Sequence, residues 1–424
     1  MKILFFNYEY PPLGGGAANA TAYILKEYSK IPDLTVDLIT SSIDDEYHLE
    51  KIGNNISIHR LPIGKNKNNL QHQSRKELLT YARKAYFFAK KLIQKNKPPH
   101  QCMGNNNIGQ IKNSDRDNEQ HWCGGKYDLS HSFFTVPCGL ISFLLKRKYK
   151  IPYIISLRGA DVPGYSERFA LLYSFIKPLV RSIWEKSFAV ISNSRGFKEL
   201  ALKTNPRQEI EVIPNGIDAN QFVKSIKSES PKVHKIESSD DEKFKILCVT
   251  RITPRKGVKY LIEAFGELSQ KSDNISLQII GGGEGKNDLE KLAKELGVEN
   301  KIEFTGLISH ENLPSYFKKA DVFVLPSLNE GMSNSMLEAL ASGLPLIATD
   351  TGGTKELIEE GTNGFIVKME NSRDLADKIK ILMRDENLRK RMGEASRKKA
   401  ETMSWEKVAS QYVKIYYKIN ELKS

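Results

Sequence analysis

Long apolar runs are missing from this sequence. None of its 424 residues lies in a stretch near the roughly 18 consecutive apolar residues that a membrane-spanning helix needs. The opening Met1-Lys2-Ile3-Leu4-Phe5-Phe6 is apolar for only four residues before Asn7. That is too short for the apolar region of a signal peptide, and it reads as a first strand. Cysteine is scarce too: the four at 102, 123, 138 and 248 are too few and too scattered for a disulfide framework. A cytoplasmic protein is therefore expected. A dinucleotide fingerprint is also lacking. The glycines after the first strand do not follow the Gly-x-Gly-x-x-Gly spacing, and the second strand, Val36-Asp37-Leu38-Ile39-Thr40, ends without an acidic residue placed for a ribose. NAD is disfavoured on both counts.

What is present points to two α/β domains. The length exceeds what one hydrophobic core usually organises and suggests two domains of about 200 residues each. Short apolar runs alternate with longer amphipathic stretches, as in a parallel sheet flanked by helices. Strands are predicted at 2–7, 35–40, 56–61, 127–131, 152–157 and 188–192, and the pattern restarts at 245–250, 277–281, 302–305, 322–325 and 346–349. The polar stretch 224–243 reads as a linker or surface excursion. The expected domains are 1–217, completed by a closing amphipathic helix over 405–424, and 218–404. Residues 97–126 break the rhythm as an insertion rich in Asn, Gln, Asp and Gly. His100-Gln101-Cys102 and His121-Trp122-Cys123 within it leave two readings, a zinc site of His100, Cys102, His121 and Cys123 or an unstructured insertion. Asp115-Arg116-Asp117 follows no strand, so its likeness to a metal-binding Asp-x-Asp is discounted.

The net charge of +13 is unevenly spread. Residues 1–217 hold 31 Lys+Arg against 19 Asp+Glu, and residues 218–424 hold 33 against 32. Either the first half meets an anionic partner (a membrane surface, a phosphorylated acceptor or nucleic acid) or the excess serves solubility. Residues 75–95 combine an apolar stripe with Lys/Arg flanks, which suits an interfacial helix or a helix packed on its own sheet.

Several loops bear chemistry. Gly14-Gly15-Gly16 leads from the first strand into a helix, where backbone N–H groups can face an anion or simply form a tight turn. Arg251, Lys256 and Gly257 follow the first strand of the second half, at the edge where open α/β sheets bind ligands. The stretch Glu330-Gly331-Met332-Ser333-Asn334-Ser335-Met336-Leu337-Glu338 comes after another strand. Gly331 permits an unusual turn, Ser333 or Asn334 can cap a helix, and Glu338 falls about one turn inside it. Two carboxylates framing a helix start suit a nucleoside diphosphate sugar: the diphosphate takes helix N–H groups, and hydroxyls meet the acids. Arg251 and Lys256 would offset the repulsion between diphosphate and acids.

Together with Val212-Ile213-Pro214-Asn215-Gly216-Ile217-Asp218, Ala339-Leu340-Ala341-Ser342-Gly343-Leu344-Pro345, Thr351-Gly352-Gly353-Thr354-Lys355-Glu356 and Gly364-Phe365, these motifs make the chain resemble glycosyltransferase family 4 over nearly its whole length. The resemblance implies a GT-B fold, with two Rossmann-like domains facing across a cleft. It also implies a retaining, hexosyltransferase-like enzyme of polysaccharide or glycolipid biosynthesis that needs no metal or other cofactor. Its partners would be a nucleotide sugar, with UDP- or GDP-sugar expected, and a saccharide or lipid-linked acceptor, but no nucleic acid. Arg251 and Lys256 would hold the diphosphate, Glu338 the ribose with Met336 and Leu337 nearby, and Ile308 the base. Glu330 would contact the donor sugar, and Gly15, Gly16, Gly331, Met332, Ser333 and Asn334 would line the donor site. Leu157-Arg158-Gly159-Ala160-Asp161 departs from the family's His-Gly-x-Asp turn. Arg158 there either binds donor or acceptor or pairs with Asp161, and His131 lines the acceptor side with Asp161 or is a buried structural residue. The alternatives are an epimerase or phosphorylase of the same fold, or a non-catalytic nucleotide-sugar-binding subunit. A peripheral position at the inner membrane face is the corresponding expectation for location.

Overall fold

The computed structural model describes residues 1–66, 70, 73–95, 127–159, 161–165, 170–222 and 243–422. The insertion 97–126, with His100, Cys102, His121, Cys123 and Asp115-Arg116-Asp117, lies outside the described residues, as does the stretch 224–242.

Apolar runs that hide both faces form parallel strands under helices. The first sheet comprises β1 (Lys2–Phe6), β2 (Thr35–Ser41), β3 (His48–Ile52), β4 (Ile56–Leu61), β5 (Leu129–Phe133), β6 (Tyr153–Leu157), β7 (Ala189–Ser192) and β8 (Ile210–Val212), in the order β3-β4-β2-β1-β5-β6-β7-β8. The second comprises β9 (Phe244–Val249), β10 (Ile275–Ile280), β11 (Ile302–Gly306), β12 (Val322–Leu325), β13 (Leu346–Thr349) and β14 (Gly364–Val367), in the order β11-β10-β9-β12-β13-β14. β1 pairs in parallel with β2 and β5, and β9 with β10 and β12, whereas β3 and β4 form an antiparallel hairpin at a sheet edge. The expected pair of Rossmann-like α/β domains is present as these two mostly parallel sheets with their helices.

The chain divides into two compact units, one of Met1–Leu157, Phe175–Val190 and Lys414–Ser424, the other of Arg158–Ser174 and Ile191–Val413. In the first, Tyr81, Ala85, Ala89 and Ile93 of helix Arg75–Lys95 are buried with Leu4, Phe6, Ile39, Ile141 and Leu145. The apolar stripe of this helix therefore faces its own sheet. His131, near the centre of β5, is 0% exposed. It stacks on Phe5 at 4.5 Å, and its ring nitrogens meet the Tyr416 hydroxyl at 2.7 Å and Ser156 Oγ at 2.8 Å. This corrects its acceptor-side reading: a ring enclosed among strand residues and bonded at both nitrogens is a core group. Tyr416, in helix Trp405–Glu421, also meets the Tyr28 hydroxyl at 2.8 Å. Among the described residues no helix is long and apolar enough to cross a membrane.

In the second unit, successive residues of β9 alternate between two cores, as the strand period of two requires. Ile246 and Cys248 pack with Leu261, Phe265 and Ile379, while Leu247 packs with Phe317, Met336 and Leu340. β9 and β12 are neighbours in this sheet. The loops that leave them are therefore brought together at one rim.

Candidate active site

The loop after β9 turns tightly through Pro254–Lys256 and enters helix Val258–Ser269 at Gly257. Gly257 has φ +61°, and a Cβ on it would overlap the Pro326 carbonyl oxygen. A glycine is needed at this close approach, which seats Lys256 against the loop after β12. Lys256 is 8% exposed, and its ammonium is ion-paired with Glu330 Oε1. The same oxygen accepts a hydrogen bond of 3.1 Å from Ser327 Oγ, and Thr349 Oγ1 donates to the Ser327 carbonyl. Lys256 and Glu330, expected at one site, thus meet directly rather than flanking a space between them.

Tyr165 belongs to the same cluster. Burial pushes its hydroxyl up to about 12, and the Glu330 charge adds to the rise, whereas Arg255 and Arg251 oppose it. The Arg255 guanidinium lies over the Tyr165 ring at 5.2 Å, and Asn329 Nδ2 donates to the Tyr165 carbonyl at 2.7 Å. Arg251, half-buried, and Glu330 thus act by charge on the same Tyr165 hydroxyl. Tyr165 does not stand out in the sequence, whereas Arg255 is one of the cations that follow β9.

Helix Asn334–Ala341 starts at the cap Ser333, whose Oγ accepts the Met336 N–H at 3.3 Å. Met332, Met336 and Leu337 are buried in the core below, with Ile308 packed against them. Glu338, one turn in, is 6% exposed and its Oε1 lies 3.1 Å from His310 Nε2. The Gln221 amide is 3.4 Å from the other His310 nitrogen. This partner of Glu338, 28 residues away in sequence, was not singled out from the sequence. The Glu338 hydrogen bond holds the His310 pKa above its ordinary 6.5, against burial, and attraction to Glu338 and Glu311 adds to the rise. A proton held more tightly in the folded chain stabilises it. That contribution is full below the unfolded pKa and is lost as pH rises through the raised folded value. As pH rises above the ordinary 6.5 and through the raised folded value, the wild-type melting temperature should fall more steeply than that of His310→Gln. Parallel curves would show that the pair does not couple folding to the proton.

The Arg158 guanidinium engages two side chains of its own unit. Its Nη1 donates to Asn215 Oδ1 at 2.7 Å and its Nη2 to the Tyr412 hydroxyl at 2.9 Å. Asn215 in turn donates through Nδ2 to Asn334 Oδ1 at 3.1 Å, and its backbone N–H meets Met332 Sδ at 3.2 Å. Arg158 is thus engaged in a chain of contacts that ends at the start of helix Asn334–Ala341. Asp161, 2% exposed, accepts the backbone N–H groups of Arg158 and Gly159 at 3.1 and 2.9 Å. A buried carboxylate tying two N–H groups closes a turn, which corrects the acceptor-side reading of Asp161.

Arg251, Lys256, Ile308, Glu330, Gly331, Met332, Ser333, Asn334, Met336, Leu337 and Glu338 all belong to the second compact unit. Gly15 and Gly16 belong to the first, where Gly15 precedes helix Gly16–Tyr28 and a Cβ on it would meet nothing within 4 Å.

Two family models match the chain: "Glycosyltransferase Family 4" over residues 14–221 and "Glycosyl transferases group 1" over residues 229–399. An uncharacterized glycosyltransferase of Methanocaldococcus jannaschii is 30% identical over 301 residues, covering 69% of this chain and 75% of that protein. Among solved structures, sucrose-phosphate synthase from Thermosynechococcus elongatus superposes with a TM-score of 0.78 at 20% identity, covering 100% of both chains. Anabaena HepE in complex with UDP-glucose superposes with a TM-score of 0.66 at 20% identity, covering 100% of this chain and 99% of that one. The folds agree along the whole chain.

Proposed function

The chain belongs to glycosyltransferase family 4, and on that premise we propose that it transfers a sugar from a UDP- or GDP-sugar to a saccharide or lipid-linked acceptor, retaining the anomeric configuration and using no metal. The observation that carries this reading is the buried Lys256–Glu330 pair, with Glu330, Arg255 and Arg251 all acting by charge on the nearby Tyr165. Cations held by the protein at a developing diphosphate supply the charge stabilisation that a metal would otherwise provide, and they need no reorganisation when the bond breaks. Glu330, with one oxygen engaged by Lys256 and Ser327, is suited to accept a hydrogen bond from a donor-sugar hydroxyl rather than to attack carbon. Retention then requires the acceptor oxygen to form its bond on the face from which the diphosphate leaves, with a donor phosphate oxygen taking the acceptor proton. Glu338, oriented by His310, is the proposed ligand of the ribose, and the chain at Ile308 that of the base. HepE was solved with UDP-glucose, a donor of the class proposed here.

The test is a melting screen of UDP-, GDP- and ADP-sugars in EDTA. The true donor stabilises by about 2.7 kcal/mol at a hundredfold excess over its Kd. A response that appears only with added divalent cation would overturn the metal-free reading.

We further propose that the acceptor is presented at an anionic membrane face. Helices Arg75–Lys95 and Leu140–Tyr149 share one core and together carry ten Lys+Arg and one Asp+Glu, Glu77, which is buried. Leu79, Phe87 and Leu144 are exposed on them, Leu79 at 73%. Cations around exposed apolar side chains suit an anionic bilayer surface. The protein should sediment with phosphatidylglycerol vesicles at low salt and be released at about 0.5 M salt, where screening is short-ranged. Failure to sediment would remove the membrane from the proposal.

A further inference from the structure

Phe143, Lys146 and Arg147 of helix Leu140–Tyr149 and the capping residue Lys150 fall at i, i+3, i+4 and i+7, which puts them on one face of the helix. A groove with about 800 Å³ of empty space lies against that face, lined among the described residues by these four and by Lys186, which follows helix Ala170–Glu185. All five belong to the same compact unit. Lys146 Nζ donates to the Lys186 carbonyl at 2.7 Å, which ties the two segments together. The Arg147 guanidinium lies over the Phe143 ring at 5.9 Å. The groove therefore joins an apolar lining, made of the Phe143 ring and the alkyl stems of the lysines, to four cationic ends, with no Asp or Glu among its described lining residues.

Arg147, Lys150 and Lys186 form no ion pair among the described residues. Burial, and after it the Lys186 charge, holds the Lys146 pKa below its ordinary 10.5. Two ammonium groups thus repel each other here, and an anion bound beside both relieves the repulsion. A helix C-terminus attracts cations in its last turn, which accounts for Lys146 and Arg147. It does not account for Lys186, which comes from another segment and adds to the like charge. Nor does the backbone call for a lysine at 150: the residue closes the helix in the left-handed conformation, φ +59°, which glycine or asparagine takes at less cost. Leu144, one turn before Arg147, and Phe188, two residues past Lys186, are exposed. Cations around an apolar groove, next to exposed apolar side chains, complement an anion that carries a hydrocarbon chain.

We propose that this groove binds one anionic lipid molecule, its phosphate held by Lys146, Arg147, Lys150 and Lys186 and its first acyl carbons laid against Phe143. The inference rests on the reading of an anionic membrane face and narrows it from a charged surface to a discrete site. The test is calorimetric titration of the full chain with dihexanoylphosphatidylglycerol and with dihexanoylphosphatidylcholine, each below its micelle concentration and with no vesicles present. The phosphatidylglycerol should saturate at one molecule per chain and bind more tightly than the phosphatidylcholine. Lys150→Asn/Lys186→Gln, in which asparagine keeps the left-handed turn, should weaken it by about twenty-fivefold, about fivefold for each cation. Lys76→Gln/Lys91→Gln removes the same charge from helix Arg75–Lys95 and should stay within about twofold of wild type. Equal affinity for the two lipids, or equal losses in the two double variants, would overturn the site in favour of diffuse charge. Glycerol phosphate binding as tightly as the phosphatidylglycerol would overturn the lipid in favour of a free phosphate. If the first double variant does not fold, Lys186→Gln alone is read against the same control, with a loss of about fivefold. Failure of the underlying reading is separate: wild-type protein then does not sediment with vesicles. Failure of the groove alone leaves sedimentation intact while the short-chain lipid does not saturate.

Discussion

Lys256→Ala is expected to lower kcat/KM by about a thousandfold and to weaken binding of the nucleoside diphosphate as well. Lys256 is buried, and its ammonium is ion-paired with Glu330. Its removal takes away a cation proposed to meet the leaving diphosphate. It also strands the Glu330 carboxylate, 13% exposed, with Ser327 as its remaining hydrogen-bond partner. Removing one partner of a buried pair costs about 3–5 kcal/mol, so the melting temperature should fall too. A variant within tenfold of wild-type kcat/KM would mean that the ammonium serves packing and not the transfer.

Glu330→Ala should behave differently. Turnover is expected to fall about a hundredfold through loss of a hydrogen bond proposed to strengthen as the sugar reacts. Lys256, freed from its internal partner, then turns its full charge to the diphosphate, so the Kd of the nucleoside diphosphate should stay constant or tighten. A Kd that weakens in step with kcat would show that Glu330 binds the nucleotide and not the sugar. The double variant Lys256→Ala/Glu330→Ala should fall less than the two single losses combined, because neither group is then left as an uncompensated buried charge.

These expectations depend on a juxtaposition only partly legible in the sequence. Each half announces its strands because a parallel sheet buries both faces: the predicted 245–250 and 322–325 appear as Phe244–Val249 and Val322–Leu325. A cap at Ser333 or Asn334 is equally legible, since few residue types accept a first-turn N–H, and the fold selects Ser333. β3 was not, because its central Leu49, Glu50 and Lys51 are exposed at a sheet edge and carry no apolar pattern. That Lys256 touches Glu330 follows from β12 lying beside β9, a matter of strand order that local pattern does not encode. For the same reason His310 was overlooked as the partner of Glu338, and Tyr165 as a neighbour of Glu330. For Arg158, the sequence leaves binding to donor or acceptor and pairing with Asp161 both open. In the fold, Asn215 and Tyr412 come within reach and engage it. Of the two readings of His131, the buried structural one holds, because the strand is buried along all five residues.

The most direct test of protein-held cations carrying out a retaining transfer is proton NMR of the first product formed from the donor identified by the melting screen, with EDTA present throughout. The account predicts that an α-linked donor yields an α-linked product at an undiminished rate. A β-linked product, or transfer that stops until divalent cation is restored, would contradict it.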